Sequence, residues 1–287
     1  MMPMLFRAAV LVLLLLAAQA QAATRILFVG NSFTYGAGSA AMSFRPQLVR
    51  DLNGEKASGV PALFKALTDQ LGLDYEVSLE TSPGKNFDWH WHERRALLDH
   101  AWDQVVLQGY STLDADKPGD AAKMTRYADA IAQMLRAQNP DVELSLMATW
   151  ARADQTYKPG GHWHGQPITA MARDVQRGYE QVAAVVKPRH IILVGRAWTR
   201  AIETGLARAN PYDPAARGLN LWADDAYHAS AFGSYLQALT VLGAITGCDP
   251  RLGDEPVARE LNIAAADAVA LQQVAWKSLP ATRRCSK

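Results

Sequence analysis

Short apolar runs alternate with longer helical segments over most of this chain, and this alternation restricts the fold more than any other feature of the sequence. Runs typical of buried strands lie at residues 25–29, 75–79, 103–108, 143–148 and 190–194. Helical segments are predicted at residues 57–71, 121–138, 168–186, 229–246 and 256–278. Because strands that alternate with long helices form right-handed βαβ units, the pattern predicts an α/β fold with a parallel sheet.

Two connections in this pattern are long and irregular. Residues 149–167 are rich in Trp, His, Gly and Pro, and residues 208–225 are mostly polar. Long loops of this kind in compact domains often carry function. Since no internal repeat or low-complexity linker divides the sequence, we predict a single domain over residues 23–287, which is large enough to bury a core without cross-links.

The N-terminal residues have the organisation of a secretory signal peptide. One positive charge, Arg7, precedes an apolar run over residues 8–18, and small-x-small cleavage sites end at Ala20 and Ala22. The alternative is an uncleaved anchor, but the apolar run is shorter than the roughly 20 residues that cross a bilayer. We therefore expect cleavage after residue 22, export to the periplasm or the medium, and no stable membrane anchor.

Charge and cysteine content narrow the possible partners and bonds. The formal net charge of +1 gives no basic footprint, so nucleic-acid binding is not expected. Cys248 and Cys285 are the two cysteines of the chain. An exported protein meets an oxidising compartment, so an intramolecular disulfide between them is predicted, with two free thiols as the alternative.

Ser32 follows the first predicted strand in a segment rich in turn-forming residues. Residues 25–29 are followed by Gly30, Asn31 and Ser32, and another glycine follows at position 36. The carboxyl ends of parallel strands are where open α/β sheets bind their ligands. Ser32 is therefore a candidate nucleophile, provided that a base activates it. A serine that only caps a turn or a helix is the structural alternative.

The best candidate base stands late in the chain, in an Asp-x-x-His segment before a predicted helix. Asp225 and His228 are three residues apart, so one loop can deliver both side chains. The carboxylate would hold the imidazole tautomer while the other ring nitrogen faces the serine. The alternatives are an N-cap aspartate and an ordinary surface or core histidine. The neighbouring Asp224 is interpreted as a solvent or cap residue.

Residues 30–34 at the first strand, together with Asp225-x-x-His228, resemble the SGNH (GDSL-like) hydrolase superfamily, although its first block usually reads Gly-Asp-Ser. The resemblance spans nearly the whole mature chain. It implies a flavodoxin-like three-layer α/β/α sandwich around the five predicted parallel strands. It also implies a catalytic triad of Ser32, His228 and Asp225 that requires no cofactor.

The resemblance further implies an oxyanion hole. Gly84 matches the glycine of the second family block, whose N–H binds the oxyanion. The third block normally reads Gly-x-Asn-Asp, whereas this chain has Gln108 followed by glycine, which resembles the Gln-Gly-Glu block of sialate and xylan acetylesterases. By that analogy the Gln108 amide joins the N–H groups of Ser32 and Gly84, with Tyr110 or Ser111 as alternative donors. Plain turn and strand-end roles are the structural alternatives for Gly84 and Gln108.

Two clusters alternate tryptophan with histidine. An extended segment over residues 88–93 would place His90 and His92 on one side, and the second cluster contains Trp163 and His164. No His-Glu-x-x-His spacing occurs, so a metal site is not predicted. Flat rings with polar edges suit sugar binding, while a structural loop plug is the alternative. Further candidates for substrate contact are Asn31 and Tyr110.

These features together predict an exported serine esterase that hydrolyses small acyl esters, in particular O-acetyl groups on a carbohydrate. The glycine-rich signatures of nucleotide-binding loops and the Gly-x-Ser-x-Gly elbow of α/β-hydrolases are both missing from the sequence. One alternative is a lipase or lysophospholipase, which would have an apolar acyl channel near the nucleophile. Another is a catalytically inactive glycan-binding module on the same scaffold.

Overall fold

The computed structural model describes residues 22–252, 255–280 and 285, so the predicted signal peptide lies outside it except for Ala22. Its strands are β1 (Thr24–Gly30), β2 (Arg50–Asp51), β3 (Tyr75–Thr81), β4 (Gln104–Leu107), β5 (Glu143–Ala148) and β6 (His190–Leu193). Its α-helices are α1 (Gly59–Gln70), α2 (Phe87–Glu93), α3 (Arg95–Leu98), α4 (Ala122–Gln138), α5 (Ala153–Tyr157), α6 (Ile168–Val186), α7 (Val194–Glu203), α8 (Ala231–Thr246), α9 (Glu255–Glu260) and α10 (Ala265–Ser278). In this part of the chain, no helix has the length and apolar character needed to cross a membrane.

The strands form one parallel sheet in the order β2-β3-β1-β4-β5-β6, with helices on both faces. On one face α1 packs against α8, and α8 packs against α10. On the other face α4 packs against α2 and α6. Apolar side chains fill the space between the layers, as where the rings of Phe28 on β1 and Phe64 on α1 meet at 5.6 Å. The three-layer α/β/α sandwich is therefore confirmed.

The prediction of five strands is wrong by one short strand at the edge of the sheet. β2 pairs with β3 through Arg50 opposite Ser78 and Asp51 opposite Leu79. The next residue continues the pairing, since Leu52 N–H donates to Leu79 O at 2.9 Å. Two polar residues form no apolar run, so the sequence contains no local signal for this strand.

The C-terminal helical segment is also divided differently from the prediction. Residues 256–278 belong to two helices, α9 and α10, rather than one. Asn262 between them has a φ of 57°, which is a left-handed backbone conformation. Asparagine tolerates this conformation, but an α-helix cannot continue through it.

The first tryptophan–histidine cluster is helical rather than extended. Asn86 caps α2 by accepting a hydrogen bond from Phe87 N–H at 2.9 Å, and Asp88 lies in the first turn, where a negative charge favours a helix. In the helix, His90 is buried and His92 is exposed. The expectation that the two rings share one side is therefore wrong.

The register of β1 with its neighbours decides where a site can form. Gly30 pairs with Thr81 of β3, and Val29 pairs with Leu107 of β4. The loops after these three strands therefore leave the same edge side by side. The strand order also changes direction at β1, because β3 lies on one side of it and β4 on the other. Open α/β sheets bind ligands at such a switch point.

The predicted disulfide between Cys248 and Cys285 is confirmed. Cys248 follows the end of α8 and is fully buried, while Cys285 is exposed. The bond closes a segment with a sequence separation of 37 residues. It attaches the C-terminal tail to the end of α8.

Candidate active site

Ser32 lies in a tight turn immediately after β1. The N–H groups of Thr34 and Tyr35 donate to Asn31 O at 2.8 and 3.1 Å. Phe33 N–H donates to the side-chain oxygen of Asn31 at 3.1 Å. Asn31 thus closes the turn with both its backbone and its side chain, as asparagine commonly does. The turn places Ser32 at the carboxyl edge of the sheet with 8% of its surface exposed.

The buried side chain of Gln108 supports this turn through hydrogen bonds. Its side-chain oxygen accepts from Asn31 N–H at 3.1 Å and from Thr34 Oγ1 at 2.8 Å, and its amide nitrogen donates to Gly109 O. Because a backbone N–H can only donate, the hydrogen bond from Asn31 determines which end of the amide is the oxygen. The side chain has no exposed surface. These contacts make Gln108 a brace for the Ser32 turn and do not support its predicted role as an oxyanion donor.

Asn31 is also occupied structurally rather than presented to a substrate. Its amide nitrogen donates to Lys85 O at 2.9 Å and to Gly109 O at 3.2 Å. These bonds join the turn after β1 to the loops after β3 and β4. With 2% of its surface exposed and its amide groups engaged, Asn31 holds the three loops together.

Two backbone N–H groups at this edge are free to bind an anionic oxygen. The loop after β3 runs beside the Ser32 turn, since Ser82 N–H donates to Gly30 O at 3.1 Å. Gly84 in this loop is exposed and has a φ of 66°, a conformation that favours glycine. Within the described residues, the N–H groups of Ser32 and Gly84 donate no hydrogen bond. Preorganised donors of this kind stabilise an oxyanion.

The structure brings Asp225 and His228 together in the loop before α8. The ring nitrogen Nδ1 of His228 lies 2.6 Å from Asp225 Oδ2. The other carboxylate oxygen accepts from the backbone N–H groups of Tyr227 and His228, at 3.0 and 2.9 Å. One oxygen of Asp225 therefore shapes the loop while the other orients the imidazole. Both aspartates are exposed, but the Asp224 side chain, unlike that of Asp225, makes no hydrogen bond to any described residue.

The hydrogen bonds around Asp225 keep its carboxyl group ionised. Partial burial by itself would raise the pKa of Asp225. The hydrogen bonds from Tyr227 N–H, the His228 ring and His228 N–H outweigh that effect and lower the pKa below its ordinary value. The acid is thus a carboxylate that accepts a proton-bearing Nδ1 and leaves Nε2 as the basic nitrogen.

The basic nitrogen of His228 is directed into the interior beside the Ser32 turn. His228 Nε2 is buried and has no hydrogen-bond partner among the described residues. Its ring centroid lies 5.4 Å from that of Phe33, the residue after Ser32, and 3.9 Å from that of Tyr227. No hydrogen bond joins Ser32 Oγ to Nε2 within the described structure; catalytic hydrogen bonds are often long without substrate. The structure therefore pairs Asp225 with His228 and places the His228 ring against Phe33, the residue after Ser32.

A column of four aromatic rings connects the Ser32 turn to the loop that contains Asp225 and His228, which we call the base loop. The sequence reasoning did not identify this column. Phe33 stacks on Trp150 at 4.6 Å, Trp150 stacks on Trp198 at 4.4 Å, and Trp198 meets Trp222 at 5.3 Å. Trp150 Nε1 donates to Tyr227 O at 3.0 Å, which fixes the backbone beside His228. The one available signal was the position of Trp150, just after a strand at the carboxyl edge.

Arg152 is a second residue of the site that the sequence reasoning missed. Its guanidinium group lies 4.5 Å from the Tyr227 ring centre and donates to both oxygens of Asp154, at 3.0 and 2.7 Å. It also donates to Ser111 Oγ at 3.2 Å. Burial alone would lower the pKa of Arg152, but Asp154 raises it, so the group stays charged. Nothing in the local sequence distinguishes it from any other loop arginine.

The other three residues predicted to contact the substrate differ in their exposure to solvent. The Trp163 ring is 1% exposed and donates to Asp174 at 2.7 Å, which makes it a plug in the loop rather than an open stacking surface. His164 is exposed. Tyr110 is half-buried in the loop after β4, where its N–H donates to Asn86 Oδ1 at 3.1 Å.

The histidines do not assemble a metal site in the part of the chain that the structure describes. His90 instead pairs with Glu80 of β3, at 2.5 Å between Nδ1 and the carboxylate, and both side chains are fully buried. His92 contacts the Tyr127 hydroxyl at 3.2 Å on the surface. The Glu80–His90 pair joins α2 to β3 and so supports the loop that carries Gly84.

A cavity of about 1100 Å³ lies at the opposite edge of the sheet. Its lining includes Thr24, Tyr75 and Gln104 at the amino ends of strands, and Gly247 after α8. Ser32 and the Asp225–His228 pair do not line it. The cavity and the candidate active site therefore lie at opposite edges of the sheet.

No protein-family model and no curated protein matches this chain. Solved structures do match. A DUF4886 family protein from Bacteroides uniformis has a TM-score of 0.60 at 18% identity, covering 89% of this chain and 94% of that one. A candidate SGNH hydrolase from Slackia heliotrinireducens has a TM-score of 0.51 at 20% identity, covering 78% and 99% respectively.

A phospholipase A1 from Streptomyces albidoflavus is also similar, with a TM-score of 0.50 at 15% identity over 77% of this chain and 99% of that one. At such low identities the similarity establishes the architecture and leaves the substrate open. It agrees with the three-layer sandwich described above and with the resemblance carried by residues 30–34 and Asp225-x-x-His228. This chain has the fold of the SGNH hydrolases.

Proposed function

We propose that this protein is a serine ester hydrolase in which Ser32 is the nucleophile, His228 the general base and Asp225 the orienting acid. The hydrogen bond of 2.6 Å between Asp225 and His228 Nδ1 carries the proposal, because it leaves a buried, unpartnered Nε2 beside the serine turn. Three residue types of this kind, in these roles, recur in hydrolases of unrelated folds.

In the first half of the reaction, Ser32 Oγ attacks the ester carbonyl carbon and its proton passes to His228 Nε2. The carbonyl oxygen becomes an oxyanion that accepts hydrogen bonds from the free N–H groups of Ser32 and Gly84. When the tetrahedral intermediate collapses, the bond to the alcohol oxygen breaks. His228 returns the proton to that oxygen, and the alcohol leaves an acyl-serine.

In the second half, water attacks the acyl-serine carbonyl and gives a proton to His228 Nε2. The second tetrahedral intermediate breaks the bond to Ser32 Oγ, which takes the proton back from the imidazolium. Asp225 stays ionised throughout and stabilises the charged ring, in keeping with the lowered pKa of its carboxyl group.

The preferred substrates are small acyl esters, in particular O-acetyl groups on a carbohydrate. Polar side chains extend from the base: Tyr227 lies against the His228 ring, Arg152 lies over Tyr227, and Arg152 in turn contacts Asp154 and Ser111. Such groups suit a hydroxyl-rich alcohol better than a long acyl chain.

A lipase or lysophospholipase is the second candidate, and it would need an apolar acyl channel beside Ser32. A glycan-binding module without catalysis is the third. The ordered Asp225–His228 pair argues against the third candidate, because binding alone requires no oriented base.

We further propose that the protein acts outside the cytoplasm. The predicted signal peptide at residues 1–22 supports export, and the disulfide between Cys248 and Cys285 is consistent with an oxidising compartment.

The test of the activity is hydrolysis of 4-nitrophenyl acetate by the purified protein and by Ser32→Ala. We expect the substitution to lower kcat by about 10⁴–10⁶-fold without changing the thermal midpoint much, because a single hydroxyl is removed. If wild type and variant released nitrophenol at the same slow rate, the esterase proposal would be wrong.

The substrate class is tested separately with 4-nitrophenyl esters of increasing acyl length and with acetylated polysaccharides. We expect the highest kcat/KM with the acetyl ester and measurable release of acetate from the polymer. A preference for acyl chains of eight or more carbons would favour the lipase instead.

A further inference from the structure

We propose that Ser111 Oγ is the third hydrogen-bond donor of the oxyanion hole and that Arg152 is the residue that positions it. This inference rests on the proposed ester hydrolysis. It fills the place left open by Gln108, whose amide is buried and engaged with the Ser32 turn.

The topology places the loop that contains Ser111 beside the turn that contains Ser32. Val29 of β1 pairs with Leu107 of β4, so the residues after Leu107 run alongside the turn that contains Ser32. The hydrogen bond of 3.2 Å from Asn31 Nδ2 to Gly109 O shows this closeness directly.

The same loop is also fixed to the side that carries Gly84. Tyr110 N–H donates to Asn86 Oδ1 at 3.1 Å, and Asn86 Nδ2 donates to Leu113 O at 2.9 Å. Asn86 stands two residues after Gly84, so these bonds hold the Ser111 segment against the second donor loop. Hydrogen bonds on both sides of Ser111 therefore attach its segment to the loops that carry Ser32 and Gly84.

The contact with Arg152 determines how the Ser111 hydroxyl is used. The guanidinium Nη1 donates to Ser111 Oγ at 3.2 Å, so the serine oxygen is the acceptor in that bond. Ser111 Oγ donates no hydrogen bond to any described residue, which leaves its hydrogen for another acceptor. A donor whose oxygen faces a cation is a stronger donor, since the positive charge polarises the O–H bond.

Arg152 itself is held in place by groups other than Ser111. Its Nε and Nη2 atoms donate to the two oxygens of Asp154, and its plane lies over the Tyr227 ring. With 13% of its side chain exposed, it has little freedom to turn towards a substrate. It therefore acts through Ser111 rather than by touching the reacting oxygen.

The test is a comparison of Ser111→Ala, Ser111→Thr and Tyr110→Phe with 4-nitrophenyl acetate. We expect Ser111→Ala to lower kcat by about 10²–10³-fold with little change in KM, as for other lost oxyanion donors. Threonine keeps the hydroxyl, so Ser111→Thr should recover most of that loss. Tyr110→Phe removes the hydroxyl of the alternative donor and should lower kcat much less than Ser111→Ala does. The inference is wrong if Ser111→Ala keeps the wild-type kcat, or if Tyr110→Phe shows the loss instead.

A double-mutant cycle tests the role of Arg152. If Arg152 acts through Ser111, Arg152→Met lowers kcat, and the Ser111→Ala/Arg152→Met double variant is no slower than the slower single variant. Independent, additive losses would contradict a positioning role. Thermal unfolding of each variant reports any general loss of structure separately.

Labelling by a fluorophosphonate probe distinguishes failure of this inference from failure of the esterase proposal. The wild-type protein should be labelled at Ser32, and Ser32→Ala should not. Absence of Ser32-dependent labelling and of hydrolysis in the wild type would contradict the esterase itself. Normal labelling and hydrolysis with an unaffected Ser111→Ala would contradict the oxyanion role alone.

Discussion

At the residue scale, two buried amide side chains determine the shape of the Ser32 turn. Asn31 joins the loops after β1, β3 and β4, and the side-chain oxygen of Gln108 accepts a hydrogen bond from Asn31 N–H. Gly30 completes this arrangement, because a Cβ there would lie 2.3 Å from Thr34 Oγ1 and 2.8 Å from Gln108 Oε1. The Gly-Asn-Ser sequence is thus explained by packing as well as by chemistry.

Gln108→Met distinguishes two roles of Gln108, support of the Ser32 turn and donation to the oxyanion, because they predict different effects on stability and on kcat. As a brace, its loss leaves the buried Asn31 N–H unsatisfied and should lower the free energy of unfolding by about 1–3 kcal/mol, measured in urea. An oxyanion donor would leave the unfolding free energy unchanged and lower only kcat.

Asp225 and Asp224 offer a matched pair of substitutions. Asp225→Asn removes the carboxylate that orients His228, so kcat should fall by about 10²–10⁴-fold. Asp224→Asn alters an exposed neighbour and should keep wild-type activity. Equal effects of the two changes, measured with 4-nitrophenyl acetate, would remove the argument for Asp225 as the acid.

At the element scale, the base loop depends on the aromatic column beneath it. The loop precedes α8, whose cap Ser230 accepts from Gly233 N–H at 3.3 Å. On its other side, Ala153 N–H donates to Ala226 O at 3.0 Å, and Trp222 Nε1 donates to Ala151 O at 3.0 Å. The loops after β5 and before α8 therefore form one connected unit.

Trp150→Phe tests this connection. It removes the Nε1 hydrogen bond to Tyr227 O and should lower both stability, by about 1–3 kcal/mol, and kcat. Trp102→Phe is the control, because Trp102 Nε1 donates to Leu98 O at the same distance of 3.0 Å but at the other edge of the sheet. We expect Trp102→Phe to lower stability by a similar amount while kcat stays unchanged. A fall in kcat in both variants would mean that the column has no specific role.

The ion pair between Arg25 on β1 and Asp103, just before β4, should make stability depend on pH. The hydrogen bonds from the Arg25 side chain lower the pKa of Asp103 below its ordinary value of 3.8, although burial opposes them. A lowered folded-state pKa adds stability above the unfolded value, and that stability is lost as the pH falls through the folded value. The thermal midpoint of Asp103→Asn should therefore lie slightly below wild type at pH 7, and the gap should close below about pH 4. A gap that is independent of pH would contradict the assignment.

At the scale of the whole molecule, the disulfide lies far from the edge of the sheet that carries Ser32 and His228. α8 begins beside the base loop and has 16 residues, so its far end is about 24 Å away. The bond between Cys248 and Cys285 therefore attaches the tail at the edge opposite Ser32. It should contribute to stability without affecting catalysis.

Cys285→Ser tests this separation. Cys285 is exposed, so serine leaves no gap in the core, and loss of the cross-link should lower the free energy of unfolding by roughly 3–4 kcal/mol. We expect kcat at 25 °C to stay at the wild-type value. Wild-type protein treated with a reductant should unfold like the variant; a difference between them would show that the substitution acts in another way.

Most of the fold could be predicted from the sequence because its signals are local. The limits of β5 and α6 were predicted to the residue, since an apolar run and a helical repeat are visible within single windows. β2 and the break at Asn262 were not, because a two-residue edge strand and a left-handed backbone conformation carry no such period. The pairing of Cys248 with Cys285 followed from their being the two cysteines of the chain.

The sequence by itself determined the parallel sheet, the position of Ser32 after its first strand and the closeness of Asp225 to His228, since each depends on periodicity or on a three-residue spacing. Only the tertiary structure decided which polar side chains are engaged in contacts within the protein and so are not available to a substrate. It buried Gln108 and Trp163 and set Arg152 against Ser111 and Tyr227. Arg152 is 41 positions from Ser111 and farther still from Tyr227, so no local pattern records these contacts.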